Sequence, residues 1–177
     1  MLSLNYMSNK KKLLLALIII LGFAGFLDST YLTILHYKNA FPPCLLYHEC
    51  ATVLTSKYST IGSLPVSLLG SAYYLLVIIV SILIIQNPTL SLRAKRSSLA
   101  NNSRKKEIAS GYLNPRNDNP FLILAVVSGI GFLVSFYFFL IQAFVLSAYC
   151  QYCLASETIS LLILILSFKL VRLNKNR

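Results

Sequence analysis

Residues 13–36 read LLLALIIILGFAGFLDSTYLTILH, a run that holds one acidic residue, Asp28, and closes on His36. Coiled as a helix at about 1.5 Å per residue, it is long enough to cross the roughly 30 Å hydrocarbon layer of a membrane. Lys10, Lys11 and Lys12 precede it, as they would a secretory leader. The apolar stretch, however, exceeds the roughly 7–15 residues of such a leader, so it reads as a retained span.

Three more blocks of this kind follow, at about 65–86, 121–146 and 151–171. The 177-residue chain is 56% hydrophobic and only 12% charged, with a mean hydropathy of +0.70, a balance that excludes a soluble globular domain. The pattern predicts an all-α integral membrane protein: a bundle of four transmembrane helices forming a single membrane domain over 1–177, with a cysteine-bearing outer loop. A net charge of +11 does not point to nucleic acid here. The basic residues gather at span ends instead of spreading over a folded face, which makes them topology signals.

Because successive spans alternate direction, the N-terminus, segment 87–120 and the C-terminal tail share one side. That side carries 14 Lys and Arg, against Lys38 and Lys57 on the side of segment 37–64 and the turn 147–150. The excess marks the first side as cytoplasmic. Cys44, Cys50, Cys150 and Cys153 then lie at the outer, periplasmic face of a bacterial inner membrane, where disulfides persist while cytosolic thiols stay reduced. Segment 87–120, with Arg104, Lys105 and Lys106 in a run, is rich in Ser, Asn and Pro. It reads as a cytoplasmic basic loop that anchors topology, with docking to anionic lipid headgroups as the functional alternative.

Cys150-Gln151-Tyr152-Cys153 is a CxxC at the outer end of the fourth span. Residues three apart share a helix face, so the two sulfurs can meet. A helix N-terminus favours the thiolate, the species that attacks disulfides. Cys44 and Cys50 sit in the outer loop after Pro42 and Pro43, with His48 and Glu49 between them. A mobile loop suits a shuttle that takes electrons from an external partner and passes them to the CxxC. Two inert structural disulfides are the competing reading, but a CxxC closes too small a loop to add much stability. A zinc site at Cys44, His48 and Cys50 lacks a fourth ligand in the loop, so no metal is expected.

The stretch Cys50-Ala51-Thr52-Val53-Leu54-Thr55-Ser56-Lys57-Tyr58, then Gly62-Ser63-Leu64-Pro65 and Gly70, together with the CxxC, resembles the bacterial homologues of vitamin K epoxide reductase. Asp28-Ser29-Thr30-Tyr31-Leu32 and His36 are similar to that family's first helix, and the resemblance covers nearly the whole chain apart from the basic loop. The order, loop pair first and CxxC on the last span, is the specific part. A DsbB-type enzyme of the same activity resembles the reverse order and stands second. The resemblance implies that Cys153 reacts with a membrane quinone, ubiquinone or menaquinone. It further implies that Cys150 is its exchange partner, that Cys50 exchanges with Cys150, and that Cys44 is nearest the external partner. Ser56 matches a loop serine or threonine placed beside the active site. Segment 87–120 looks long for the family. No thioredoxin-like extension follows the fourth span, so the implied partner is a separate periplasmic thioredoxin-fold, DsbA-like protein.

Asp28 and Glu157 fall in the outer half of the spans, where an ionisable group costs a few kcal/mol and turns inward. Glu157 is four residues beyond Cys153 and shares its face. It is a candidate for moving the protons that quinone reduction requires, with a neutral hydrogen-bonded role as the alternative, and Asp28 is a weaker candidate of the same kind. Phe136, Tyr137, Phe138 and Phe139 can either line a quinone pocket or face lipid.

Overall fold

The computed structural model describes residues 9–40, 42–43, 50–86 and 120–175. Cys44, His48, Glu49 and nearly all of the basic segment, 87–119, lie outside them. Four helices are long and apolar enough to cross a membrane: α1 (Asn9–Tyr37), α3 (Val66–Gln86), α4 (Pro120–Leu140), which continues as a π-helical turn through Ile141–Leu146, and α5 (Gln151–Lys175). Between α1 and α3 lie a short helix α2 (Cys50–Leu54) and a hairpin of β1 (Thr60–Ile61) and β2 (Leu64–Pro65). The hairpin turns on Gly62, whose φ of +65° costs glycine nothing.

Each span buries its small and hydroxylated positions and turns many of its large ones outward. In α1 the buried stripe is Leu15, Ile18, Gly22, Gly25, Ser29, Leu32 and Thr33. Leu13, Leu17, Ile20, Phe23, Leu27, Tyr31 and Ile34 are exposed, at the same helical spacing. In lipid the large apolar side chains gain nothing by hiding, so close packing and hydroxyl bonds select the interface. The α1–α3 seam shows both. Ser71 Oγ donates to Ser29 Oγ at 3.1 Å and Thr33 Oγ1 to Ser67 Oγ at 3.0 Å. A Cβ added at Gly25 would come within 2.5 Å of the Tyr74 ring.

α1 pairs with α3 and α4 with α5, while α5 also packs on α1. At the lysine end the core is built on Leu15, Ile18, Val77, Leu124, Ile163 and Leu170. Two buried serines, Ser81 and Ser167, keep their hydroxyls within their own helices, donating to the Val77 and Ile163 carbonyls at 2.8 Å. Lys11, also buried, donates to Asn174 Oδ1 at 2.9 Å and lies 5.3 Å from the centre of the Phe121 ring. The helix therefore begins at Asn9, earlier than the hydropathy boundary at Leu13. At the other end α1 stops in a left-handed cap: Asn39 has φ 51°, and the N–H groups of Asn39 and Ala40 reach the carbonyls of His36 and Leu35 at 3.1 and 3.0 Å.

Candidate functional site

The third span ends where Ser147 takes a left-handed φ of 47°. α5 then begins at Gln151, so Cys150 occupies the capping position of the last helix. Its sulfur receives hydrogen bonds from the Cys153 thiol and from the backbone N–H groups of Cys153 and Tyr152. The Cys153 thiol does most to lower the Cys150 pKa, from 9.0 to about 7; burial opposes it, and the two amides add to the lowering. Both CxxC cysteines are free thiols. Cys150 is fully buried, whereas Cys153, half-buried, opens onto a cavity.

Cys50 opens α2, is 1% exposed and is disulfide-bonded. It shares one buried cluster with Val53, Ala148 and Cys150, against which Tyr152 and Cys153 pack. The two elements that carry reactive sulfur thus meet at the head of α5. Nearby, the Pro43 carbonyl accepts from Tyr152 Oη at 3.1 Å and from Gln151 Nε2 at 3.3 Å. The two residues between the CxxC cysteines therefore grip the chain just ahead of Cys44. The expected mobile loop needs this correction: from Cys50 onward the segment is a helix and a hairpin, with Ser56 Oγ bonded to the Val53 carbonyl at 2.8 Å.

Beside these cysteines, between the helices, lies a cavity of about 1080 Å³. Four residues singled out in the sequence line it together: Asp28, Ser56, Cys153 and Glu157. Of the aromatic run only Phe138 does, while Phe132, Phe136 and Phe139 stack in a row with centroids 6.0 and 6.2 Å apart. Tyr73 and Tyr74, which sequence reading did not single out, form another wall. Tyr74 Oη donates to the Ser156 carbonyl at 2.7 Å, tying α3 to α5. Among the described residues, Asp28 Oδ2 and Tyr73 Oη are buried with no hydrogen-bond partner, and both belong to this cavity.

Gln142 was also missed. A lone amide in an apolar run gives no signal of its own, yet it is 3% exposed and bonded at both ends of its side chain. Its Oε1 accepts the Cys150 N–H at 3.2 Å, and its Nε2 donates to Glu157 Oε1 at 3.3 Å.

In comparisons with known proteins, the sequence model of the vitamin K epoxide reductase family, VKOR, matches residues 16–168 of the 177. The match takes in all four cysteines and the length of the bundle from α1 into α5. No curated protein matches the chain.

Proposed function

This chain belongs to the vitamin K epoxide reductase family, and from that premise we propose that it generates disulfides at the outer face of a bacterial inner membrane. As a member it is a multi-pass membrane oxidoreductase that couples thiol–disulfide exchange to quinone reduction. The finer assignment is ours. A separate thioredoxin-fold protein delivers two electrons to the pair Cys44–Cys50. That pair reduces Cys150–Cys153, and the CxxC reduces ubiquinone or menaquinone.

The chemistry balances step by step. The partner's dithiol reduces the loop disulfide by exchange. The Cys50 thiolate then attacks Cys150, releasing Cys153 as the thiolate, and Cys44 resolves the mixed disulfide by attacking Cys50. Finally the CxxC dithiol closes to a disulfide and its two electrons and two protons convert the quinone to hydroquinone. Glu157, with Asp28 as the second candidate, handles those protons, and Ser56 borders the site from the loop side.

The observation that carries this reading is the shared burial of Cys50 and Cys150 in one cluster, with Cys153 alone of the three opening onto the cavity. An apolar cavity of this size accommodates a quinone ring, and a buried polar atom left unpaired costs about 1–3 kcal/mol, which a carbonyl oxygen can relieve at Tyr73 Oη. N- and C-termini on the cytoplasmic side follow from the distribution of Lys and Arg.

The test is anaerobic mixing of purified protein with a reduced thioredoxin-fold protein and either quinone. Quinone absorbance should fall in step with partner oxidation. A protein that oxidises the partner with no quinone consumed would sink the proposal.

A further inference from the structure

In the run Phe138-Phe139-Leu140-Ile141-Gln142-Ala143-Phe144-Val145-Leu146, Gln142 is the only side chain that hydrogen-bonds strongly. It stands on the π-helical turn, a widened backbone that recurs at functional sites. The turn directs the Gln142 carbonyl to the N–H groups of Ser147 and Ala148, the latter at 3.2 Å, which swings the chain round to Cys150. The side chain closes the same circuit. A backbone N–H can only donate, so Oε1 must face Cys150 and the amide nitrogen must face Glu157. That nitrogen is donor-only, so Glu157 Oε1 can only accept. A proton carried by this carboxyl therefore sits on Oε2.

We propose that Gln142 is a positioning residue for quinone reduction: it fixes the Glu157 carboxyl relative to the CxxC, with Oε1 held as an acceptor and Oε2 left to carry the proton. The inference rests on the reading of Glu157 as the proton-transfer group. In the step concerned, oxidation of the Cys150/Cys153 dithiol releases two electrons and two protons and the quinone takes up both to give hydroquinone. Glu157 Oε2 accepts the Cys153 proton and hands it to one quinone oxygen, returning to its starting state, and then relays the Cys150 proton to the other oxygen in the same way. Gln142 lines the same cavity but exchanges neither electrons nor protons in this scheme; it acts through Glu157.

Gln142→Met keeps the length of the side chain and removes both hydrogen bonds. It should lower kcat for quinone reduction about a hundredfold, the lower end of general acid–base assistance, with a much smaller change in KM for quinone. Glu157→Gln should slow the same step. In a double-mutant cycle the loss from Gln142→Met should largely vanish in the Glu157→Gln background, because the group it positions is gone. Fully multiplicative effects would overturn the inference and leave the role of Glu157 intact. Wild-type turnover in Glu157→Gln alone would overturn the proton-transfer reading itself, and this inference with it.

Gln142→Glu covers the case in which the Met variant fails to fold, since it keeps an oxygen for the Cys150 N–H. The carboxyl introduced by this substitution, once protonated, can donate to Glu157 as the amide did, so kcat should recover as pH falls. The titratable groups that share Glu157's cavity or act on it are Asp28 and His36 from α1, Lys57 and Tyr58 after α2, Tyr73 and Tyr74 from α3, and Cys150 and Cys153 at the head of α5; the wild-type profile is the reference for them. A folded Gln142→Glu variant with wild-type kcat at every pH would show that Gln142 merely holds the turn.

Discussion

The two ends of the bundle are built to different rules. At the lysine end, Leu15, Ile18, Val77, Leu124 and Leu170 close the helices on one another, and Lys11 is spent on Asn174 and Phe121. At the cysteine end the same helices part around a cavity of about 1080 Å³, where two polar atoms among the described residues, Asp28 Oδ2 and Tyr73 Oη, are buried unpaired. Stability and reactivity are thus separated along the helix axes. A substitution at one end should move melting with little change in chemistry, and a substitution at the other should do the reverse.

The largest effect expected is at the cysteine end. Cys153→Ala should reduce quinone turnover to background while the loop pair still exchanges with a reduced partner. With no CxxC partner to resolve it, Cys150 should accumulate as a mixed disulfide with Cys50, visible by non-reducing digestion and mass spectrometry. Finding Cys150 free under oxidising conditions would count against the relay.

At the lysine end, Leu15→Ala removes a fully buried side chain from the closed core. The loss should be about 2–5 kcal/mol of stability, read as a lower melting midpoint in detergent. Turnover per folded molecule should match the wild type. A comparable fall in kcat would mean that the two ends are mechanically coupled and the separation is wrong.

The smallest effect is a displacement along the pH axis. Cys150, with its pKa lowered to about 7, should become reactive toward a small alkylating agent as pH rises through neutrality. Removing Cys153 takes away the largest cause of that lowering, so in fully reduced Cys153→Ala, with the Cys50 mixed disulfide opened, the midpoint should move up toward the ordinary thiol value. An unchanged midpoint would assign the lowering to the helix amides alone.

The four spans were legible because lipid imposes a length and composition on any helix that crosses it, and the CxxC because its spacing is local. The buried state of Lys11 was not, since it depends on Asn174, which is 163 positions away. The sequence reads Cys50 in a mobile loop, whereas α2 carries it into a buried cluster with Ala148 and Cys150; Gly62-Ser63 between two short strands is the signal for the hairpin that follows. Ser56, Asp28, Cys153 and Glu157 could be chosen singly by residue type and depth, but their meeting on one cavity depends on how α1, α3 and α5 pack. Gln142 escaped for the same reason. Its partners are 8 and 15 positions away, across a left-handed Ser147 that nothing in the residue type of a serine announces.

The sealed lysine end has a bioenergetic consequence. On the proposed route, electrons and protons enter together from outer-face thiols and leave together on the hydroquinone. Among the described residues, the core at that end is closed by apolar side chains. Moving one charge through the bilayer would involve about 2.3 kcal/mol per 100 mV of membrane potential. With none moved, disulfide formation by the proposed route would be electroneutral: it would neither draw on the membrane potential nor be held back by it, and the thiol and quinone couples alone would set its driving force.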